Sequence, residues 1–264
     1  MIGAGMIDPY LKIRRAKTHL DTLDKLLKEF ATGKPYTVTF YDDLEKQRHV
    51  MECKLHDVPD DICLTVGDLF YNMRSCLDQI VWSLAKRVGG VLDPDRTQFP
   101  ILAVDNEDTR RSFSRQTEGV PSDALDEIRG FQPYQRKESY KAHPLWRLNA
   151  MCNLDKHRRI PANGSEGIFR FPKITQGDIV GVQPHASGMV VEIPIDLRME
   201  ALADRHRVSV PLVDKGRLQL DPTTPFKVNF GGDAAGLTED RRGIGEIYQF
   251  VCDTVLPRFL RFFP

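Results

Sequence analysis

Several signatures that would identify a chemistry are missing from this 264-residue chain. Its five cysteines include no CxxC pair, and its seven histidines show no HExxH or similar spacing, which argues against a zinc site. A P-loop and a GxSxG nucleophile motif are also missing. We therefore expect neither a metal nor a cofactor.

Long apolar runs and an excess of charge are missing as well. No run reaches the roughly 18 apolar residues of a membrane span, and the N-terminus lacks the apolar core of a signal peptide. Lys+Arg and Asp+Glu each total 37, so no global field attracts nucleic acid or an anionic membrane. Four cysteines stand in apolar surroundings typical of a reducing compartment. We expect a soluble cytoplasmic protein without a membrane partner, which would bind nucleic acid through a local patch.

Apolar periodicity indicates a helical bundle. Leu20, Leu23, Leu27 and Phe30 form one stripe of the first predicted helix, and the second helix is apolar over more than half of its surface, as a central bundle helix would be. Pro257 should kink or fray the end of the last helix. The expected helices cover about 8–30, 60–88, 105–117, 121–131, 144–158 and 238–262.

Alternating β-branched runs predict strands in two places. "YTVTFYDD" and "QRHVMECKL" predict a hairpin laid beside the helices, and short runs such as "MVVEIPI" predict a small antiparallel sheet in which Val191, Ile193 and Ile195 are buried together. The order of elements predicts an α+β fold and a single compact unit over 1–264. Its helical bundle would cover 8–160 and 238–262, with the sheet inserted at about 167–230.

The second helix carries charges where a buried helix can least hide them, in "YNMRSCLDQIVW". Arg74 lies on the edge of the apolar arc with Asp78 one turn on, whereas Asn72 lies on the polar stripe. A buried charge must be paired or it costs several kcal/mol. Arg74 is therefore expected within hydrogen-bonding reach of an acid, either Asp78 or Asp155.

Partners for these charges are expected in "NAMCNLDKHRR". Asn153 and His157 share one face of that helix, Asp155 shares its apolar side, and Arg158 follows His157. We expect the two helices to pack together and their misplaced charges to form one hydrogen-bonded network. The network either fixes the register of the helices or forms an acid–base or ligand site, since clustered titratable groups with a histidine are common where such chemistry occurs.

A local excess of positive charge leaves two interpretations open. Between Arg110 and Arg159, eleven Lys/Arg stand against six Asp/Glu. Such an excess would bind a phosphate backbone if it lay on one face, with Tyr134, Tyr140 and Trp146 available to stack on bases. The alternative is an ordinary solvated surface that acids elsewhere balance.

Two resemblances involve the same residues. "GDLFYNMRSCLDQIVWSLA", "TQFPI", "GFQPY" and "HPLWRLNAMCNLDKHR" resemble a set of uncharacterised bacterial proteins with a similar order of blocks, across residues 60–160. The arginine-bearing helix more loosely resembles the HEPN superfamily, helical domains of toxin–antitoxin and phage-defence systems. Many HEPN domains are metal-independent ribonucleases with the motif Arg, four to six residues, His. Arg74 and Ser75 match its start, but Gln79, Ile80 and Val81 stand where the histidine would be.

The HEPN resemblance implies an RNA- or nucleotide-directed module of a bacterial conflict system. If the protein is an enzyme, we expect a metal-independent endoribonuclease in which Arg74 orients the phosphate and His157 supplies the acid–base group, because a glutamine amide cannot act as a base. The alternative is a non-catalytic interaction or scaffold protein whose network is structural and whose partner is another protein or a second copy. The residues expected to support the site are Asn72, Asp78, Asn153, Asp155 and Arg158.

Overall fold

The fold is α+β, as predicted. The computed structural model describes residues 4–33, 35–45, 48–89, 93–157, 160–165, 182–185, 188–191, 198–202, 205–211, 227–232 and 237–263. Within them the α-helices are α1 Ile7–Thr32, α2 Asp60–Arg87, α3 Glu107–Gln116, α4 Ser122–Gly130, α5 Pro144–His157, α6 Arg241–Gln249 and α7 Leu256–Phe259. A 3-10 segment, Pro133–Ala142, precedes α5, and a π-helical segment, Phe250–Val255, joins α6 to α7.

The strands are short and antiparallel wherever their pairing is described. In chain order they are β1 Tyr36–Asp43, β2 Arg48–Leu55, β3 Ala162–Ser165, β4 Val182–His185, β5 Gly188–Val191, β6 Arg198–Leu202, β7 Arg205–Pro211, β8 Lys227–Gly232 and β9 Leu237–Asp240. They form three sheets, with the orders β1-β2-β7-β6, β3-β8-β9 and β4-β5. The sequence did not predict β3, β6 or β9, which are four or five residues long and lack clear alternation.

Local chemistry explains where several helices begin. Asn106 caps α3 in a reciprocal capping box with Thr109, and Asp240 caps α6 by accepting a hydrogen bond from the Gly243 N–H at 2.8 Å. Pro144 opens α5, where its missing N–H is harmless. Pro257 lies in the first turn of α7, where its missing N–H is again harmless. The last helix is irregular before this proline, in the π-helical segment Phe250–Val255.

Contacts divide the chain into two compact units. The first comprises residues 1–27, 59–162 and 229–264, and the second comprises 28–58 and 163–228. The second unit thus contains the first hairpin as well as nearly all of the predicted insertion, whose last two residues, 229 and 230, belong to the first unit. That the whole chain behaves as a single compact unit stays a prediction.

In the first unit, α2 is the central helix. Thirteen of its 28 residues are buried, among them Phe70, Met73 and Leu77. It packs against α5, since the Cys152 Sγ lies 3.5 Å from the Phe70 carbonyl oxygen, which confirms the predicted contact between these helices. Phe99 and Phe259 complete this core with an edge-to-face ring contact at 6.3 Å.

In the second unit, the first hairpin belongs to a larger sheet. β2 pairs with β1 on one side, where Val38 faces Cys53, and with β7 on the other, where Met51 faces Val208. The predicted hairpin is confirmed, and beyond that prediction its backbone hydrogen bonds continue into a later strand. Its position beside the helices stays a prediction. Strand pairing between residues so far apart in sequence leaves no local signal.

Two further expectations meet the structure only in part. The predicted joint burial of Val191, Ile193 and Ile195 lies outside the described residues, apart from the backbone of Val191 in β5. None of the helices in the described part of the chain has both the length and the apolar character that crossing a bilayer requires.

Candidate functional site

A cleft of about 190 Å³ opens between α2 and α5 in the first unit. It contains three of the residues predicted for a site, together with neighbours that the prediction did not include. The lining residues are Tyr71, Arg74, Ser75, Asp78, Gln98, Cys152, Asp155 and Lys156. The two helices therefore bring Arg74, Asp78 and Asp155 to one cleft, but not His157, the fourth of the misplaced charges.

Arg74 and Asp78 form an ion pair that holds the main chain at Phe99. The Arg74 Nη2 lies 2.9 Å from the Asp78 Oδ1 and donates to the Phe99 carbonyl oxygen at 2.7 Å. The Phe99 N–H donates to the same Asp78 oxygen at 2.9 Å, and the Gln98 Oε1 lies 3.5 Å from Nη2. The predicted reach from Arg74 to an acid is confirmed. Beyond that prediction, the pair binds both backbone polar groups of one residue, the N–H and the C=O of Phe99.

Arg74 has hydrogen-bonding capacity left after these contacts. Its side chain is 13% exposed, and its Nη1 is buried with no acceptor among the described residues. Burial raises the pKa of Asp78, whereas Arg74 and the Phe99 N–H oppose that rise. A buried donor without an acceptor is costly. The positive charge of Arg74, which lines the cleft, favours an anion there.

Cys152 lies between the charged groups of the cleft but is not a nucleophile. Its thiol is 7% exposed, and burial raises its pKa to about 12. Because the thiolate is the reactive form, this thiol stays protonated and unreactive at neutral pH. Its part in the site is to pack against α2.

Asp155 occupies another part of the cleft, beside Gly67 of α2. A Cβ added to Gly67 would lie 2.7 Å from the Asp155 Oδ1 and 2.9 Å from its Oδ2, so the carboxylate lies directly against the α2 backbone. Within the described chain, Asp155 has neither a hydrogen bond nor an ion pair, and none joins it to Arg74. The prediction that the charges of the two helices form one hydrogen-bonded network was therefore wrong, because Arg74 and Asp78 bind each other and Phe99 instead. Burial raises the pKa of Asp155, and neighbouring Asp68 raises it further.

The remaining predicted residues lie away from the cleft or outside the described residues. His157 ends α5, is exposed and is not among the lining residues, and Asn153 is exposed one turn earlier. Asn72 uses its side-chain amide to donate to the Asp68 carbonyl oxygen at 2.7 Å. Arg158 lies outside the described residues. Their roles in catalysis or support stay predictions.

Two contributors were missed in the sequence. The Tyr71 side chain is 61% exposed, and the Lys12 Nζ of α1 lies 5.7 Å from its ring centroid. Lys156 is exposed, lines the cleft and forms no ion pair within the described ranges. Helical spacing could have indicated Tyr71, since it lies three residues before Arg74 and hence on the same face.

The segment that Arg74 holds is fixed from its other side by Gln132. This side chain is fully buried, and its amide donates at 2.9 Å to the carbonyl oxygens of Pro100 and Ile128. Its Oε1 accepts from the Leu102 N–H at 3.0 Å. The Gln132 side chain of "GFQPY" thus joins this block to "TQFPI" and Leu102 through main-chain groups, and so positions Phe99 for the Arg74–Asp78 pair.

A second polar cluster lies at the other end of α5. Arg147 makes a two-pronged ion pair with Glu239 of β9, in which Nε lies 2.5 Å from Oε1 and Nη2 bonds Oε2. Its Nη1 lies 3.4 Å from Glu246 of α6. A Cβ on Gly243 would lie 2.1 Å from the Glu239 Oε2, so the missing side chain makes room for the pair. This cluster ties α5, β9 and α6 together.

A scan against protein-family models and searches of curated proteins and of solved structures give no match to this chain. The candidate site therefore depends on its own geometry.

Proposed function

We propose that the cleft between α2 and α5 recognises a phosphate group of a nucleotide or of RNA. The supporting observation is that two cationic side chains line the cleft, Arg74 and Lys156, and that Lys156 has no acid partner within the described chain. Arginine and lysine are the side chains that bind phosphate most readily. The resemblance to HEPN domains supports RNA, and a role in a bacterial conflict system, over an unrelated anion.

Tyr71 supports a nucleotide over a free phosphate ion. Its ring is largely exposed and lines the same cleft as Arg74 and Lys156. Stacking of a base on an exposed aromatic ring contributes about 1–3 kcal/mol and is tolerant of base identity. A ligand with a phosphate next to an aromatic base would use both features at once.

Removing Lys156 tests the binding function with little risk to the fold, because this side chain is exposed. The Lys156→Met variant should bind a fluorescently labelled single-stranded RNA at least about fivefold more weakly than the wild type, since one charge contact contributes about 1 kcal/mol. The slope of log affinity against log salt should fall by about 0.7. Fluorescence anisotropy at several salt concentrations measures both.

The matched control is Lys86→Met, which removes an exposed lysine from the last turn of α2, outside the cleft. It should leave affinity and salt slope close to those of the wild type. If the two variants bind alike, the cleft is not the phosphate site.

The catalytic form of the proposal makes His157 the acid–base group. Any ribonuclease activity should then persist in EDTA, disappear in His157→Ala and Arg74→Ala, and be unaffected by Gln79→Ala, because imidazole is the group that accepts protons near neutrality. Gel analysis of a labelled RNA measures the cleavage. Activity that survives His157→Ala, or that EDTA abolishes, would refute this mechanism while leaving the binding function in place.

One observation favours the alternative of a scaffold protein. Arg74 and Asp78 already satisfy both backbone polar groups of Phe99, as a purely structural pair would. Under this alternative, neither Lys156→Met nor Tyr71→Leu changes the binding of any RNA or nucleotide, and the ligand of the surface is another protein or a second copy.

A further inference from the structure

We propose that Asp155 selects the base of the ligand, and that it accepts a base with two adjacent N–H donors, as guanine has. This inference depends on the phosphate site proposed above. It starts from an acid that lines the same cleft, is half buried and has no donor group bound to it within the described ranges.

The position of Asp155 is fixed by close packing. Its two carboxylate oxygens lie against the α2 backbone at Gly67, where no side chain separates the helices. Glycine inside a helix costs about 1 kcal/mol relative to alanine, yet here an alanine Cβ would collide with the carboxylate. The packing thus holds a carboxylate in the cleft without neutralising it.

The spacing along α2 separates the acid from the cations. Gly67 and Arg74 are seven residues apart, which is about two helical turns or roughly 10 Å along the axis. Tyr71 comes one turn after Gly67 and one before Arg74, and it lines the cleft between them. This order matches the parts of a nucleotide: a phosphate at Arg74 and Lys156, an aromatic ring beside Tyr71, and a base edge at Asp155.

The chemistry of a carboxylate favours guanine at that edge. An ionised carboxylate only accepts hydrogen bonds, and its two oxygens match two parallel donors. Guanine presents a ring N–H beside an amino group, whereas adenine and cytosine place a ring acceptor beside their amino group. That acceptor would face a carboxylate oxygen, and such unpaired contacts discriminate against the wrong base.

Calorimetric titration of the full-length protein with guanosine 5′-monophosphate, adenosine 5′-monophosphate and ribose 5-phosphate tests the inference. The wild type should bind the guanine nucleotide at least about tenfold more tightly than the adenine nucleotide. Asp155→Asn should abolish this preference and leave the affinity for ribose 5-phosphate within about twofold of the wild type. The control is Asp68→Asn, which removes the adjacent exposed carboxylate and should keep the preference.

The outcomes separate the two proposals. Equal binding of both nucleotides alongside ribose 5-phosphate would overturn the assignment of Asp155 and leave the phosphate site standing. Failure of all three ligands to bind would overturn both. A preference that persists in Asp155→Asn would place the base contact elsewhere. Should that variant fail to fold, as judged by tryptophan fluorescence, Asp155→Ser provides the same comparison.

Discussion

Helix α5 carries a polar cluster at each end, and the two clusters differ in what their arginines have left to bind. At the N-terminal end, Arg147 bonds both oxygens of Glu239 and reaches Glu246. At the C-terminal end, the cleft beside α2 contains Arg74, whose Nη1 has no acceptor in the described chain, and Asp155, which has no donor there. We call the first cluster closed because its arginine and its buried acid are fully paired with each other, and the second open because it contains charged groups that are unpaired in the described part of the chain.

The difference shows how a buried ion pair can be judged. Glu239 is 3% exposed, and its two oxygens match the planar fork of Arg147, so this pair has strong geometry. A cavity of about 350 Å³ lies beside the pair, but the Glu239 carboxylate that lines it is already bound through both oxygens. Arg74 instead shares its contacts between an acid and a main-chain carbonyl, and it lines the cleft. An arginine whose acid partner is bound through both oxygens is held as a structural pair, whereas one that shares a cleft with a lysine and an acid that are unpaired among the described residues is a candidate for binding.

The largest effect is expected from breaking the closed pair. Glu239→Gln leaves the charge of Arg147 buried against a neutral amide and should lower the free energy of unfolding by about 4 kcal/mol. Urea titration followed by the fluorescence of the two tryptophans, Trp82 and Trp146, measures this, since both lie in the first unit. Glu246→Gln, whose side chain is 49% exposed, is the control and should cost less than 1 kcal/mol. Equal effects would show that the pair is not closed.

Breaking the Arg74–Asp78 pair of the open cluster should lower the free energy of unfolding slightly less. Arg74→Met strands Asp78 and frees the Phe99 carbonyl, so we expect a loss of about 3 kcal/mol in the same urea titration. Arg87→Met, at the exposed end of α2, is the matched control and should change stability by less than 0.5 kcal/mol. An Arg74→Met variant as stable as the wild type, but unable to bind RNA, would assign the arginine to ligand binding alone.

Acid should weaken the closed end of α5 through His143. This residue is 6% exposed, its Nδ1 accepts from the Leu145 N–H at 3.1 Å, and burial, with a contribution from Arg136, lowers its pKa to about 4. The unfolded chain takes up a proton below about pH 6.5 that the folded chain resists. The contribution of His143 to the free energy of unfolding is therefore fully present above pH 6.5. It decreases by about 3 kcal/mol as the pH falls to about 4.

His143→Asn tests that pH dependence, because asparagine can cap a helix without titrating. The stability difference between wild type and variant, measured by urea titration from pH 7 to pH 4, should shift by about 3 kcal/mol in favour of the variant. A difference that does not change with pH would show that His143 is not the group responsible.

The smallest effect is expected from loosening the support of the open site. Gln132→Leu removes the partners of Leu102 and Pro100 and should cost about 2 kcal/mol. It should also speed hydrogen exchange at the Phe99 amide, which nuclear magnetic resonance detects. Gln135→Leu, an exposed neighbour whose amide bonds the Arg129 carbonyl, is the control and should change neither quantity appreciably. Unchanged exchange at Phe99 would mean that Gln132 does not position the segment.

Sequence reasoning succeeded where the signal was local. The second helix was expected at 60–88 and is found at Asp60–Arg87, because its apolar periodicity is long and regular. The Arg74–Asp78 pair followed from a spacing of one turn. Phe99 and Gln132 were missed as partners because each contact joins residues 25 or more positions apart. In both contacts the acceptor is a main-chain carbonyl, a group that every residue carries.

By itself, the sequence determined which faces of α2 and α5 are buried, and that buried charges on α2 must find partners. Helical geometry determines which residues share a face of the helix from their spacing in the sequence. The free-energy cost of an unpaired buried charge then requires a partner for each such charge. Only the tertiary structure decided that Arg74 holds the Phe99 peptide with one donor unused, that Asp155 lies against Gly67, and that β2 pairs with β7. These outcomes depend on which distant segments return to a given face, and long-range packing, not local periodicity, selects them.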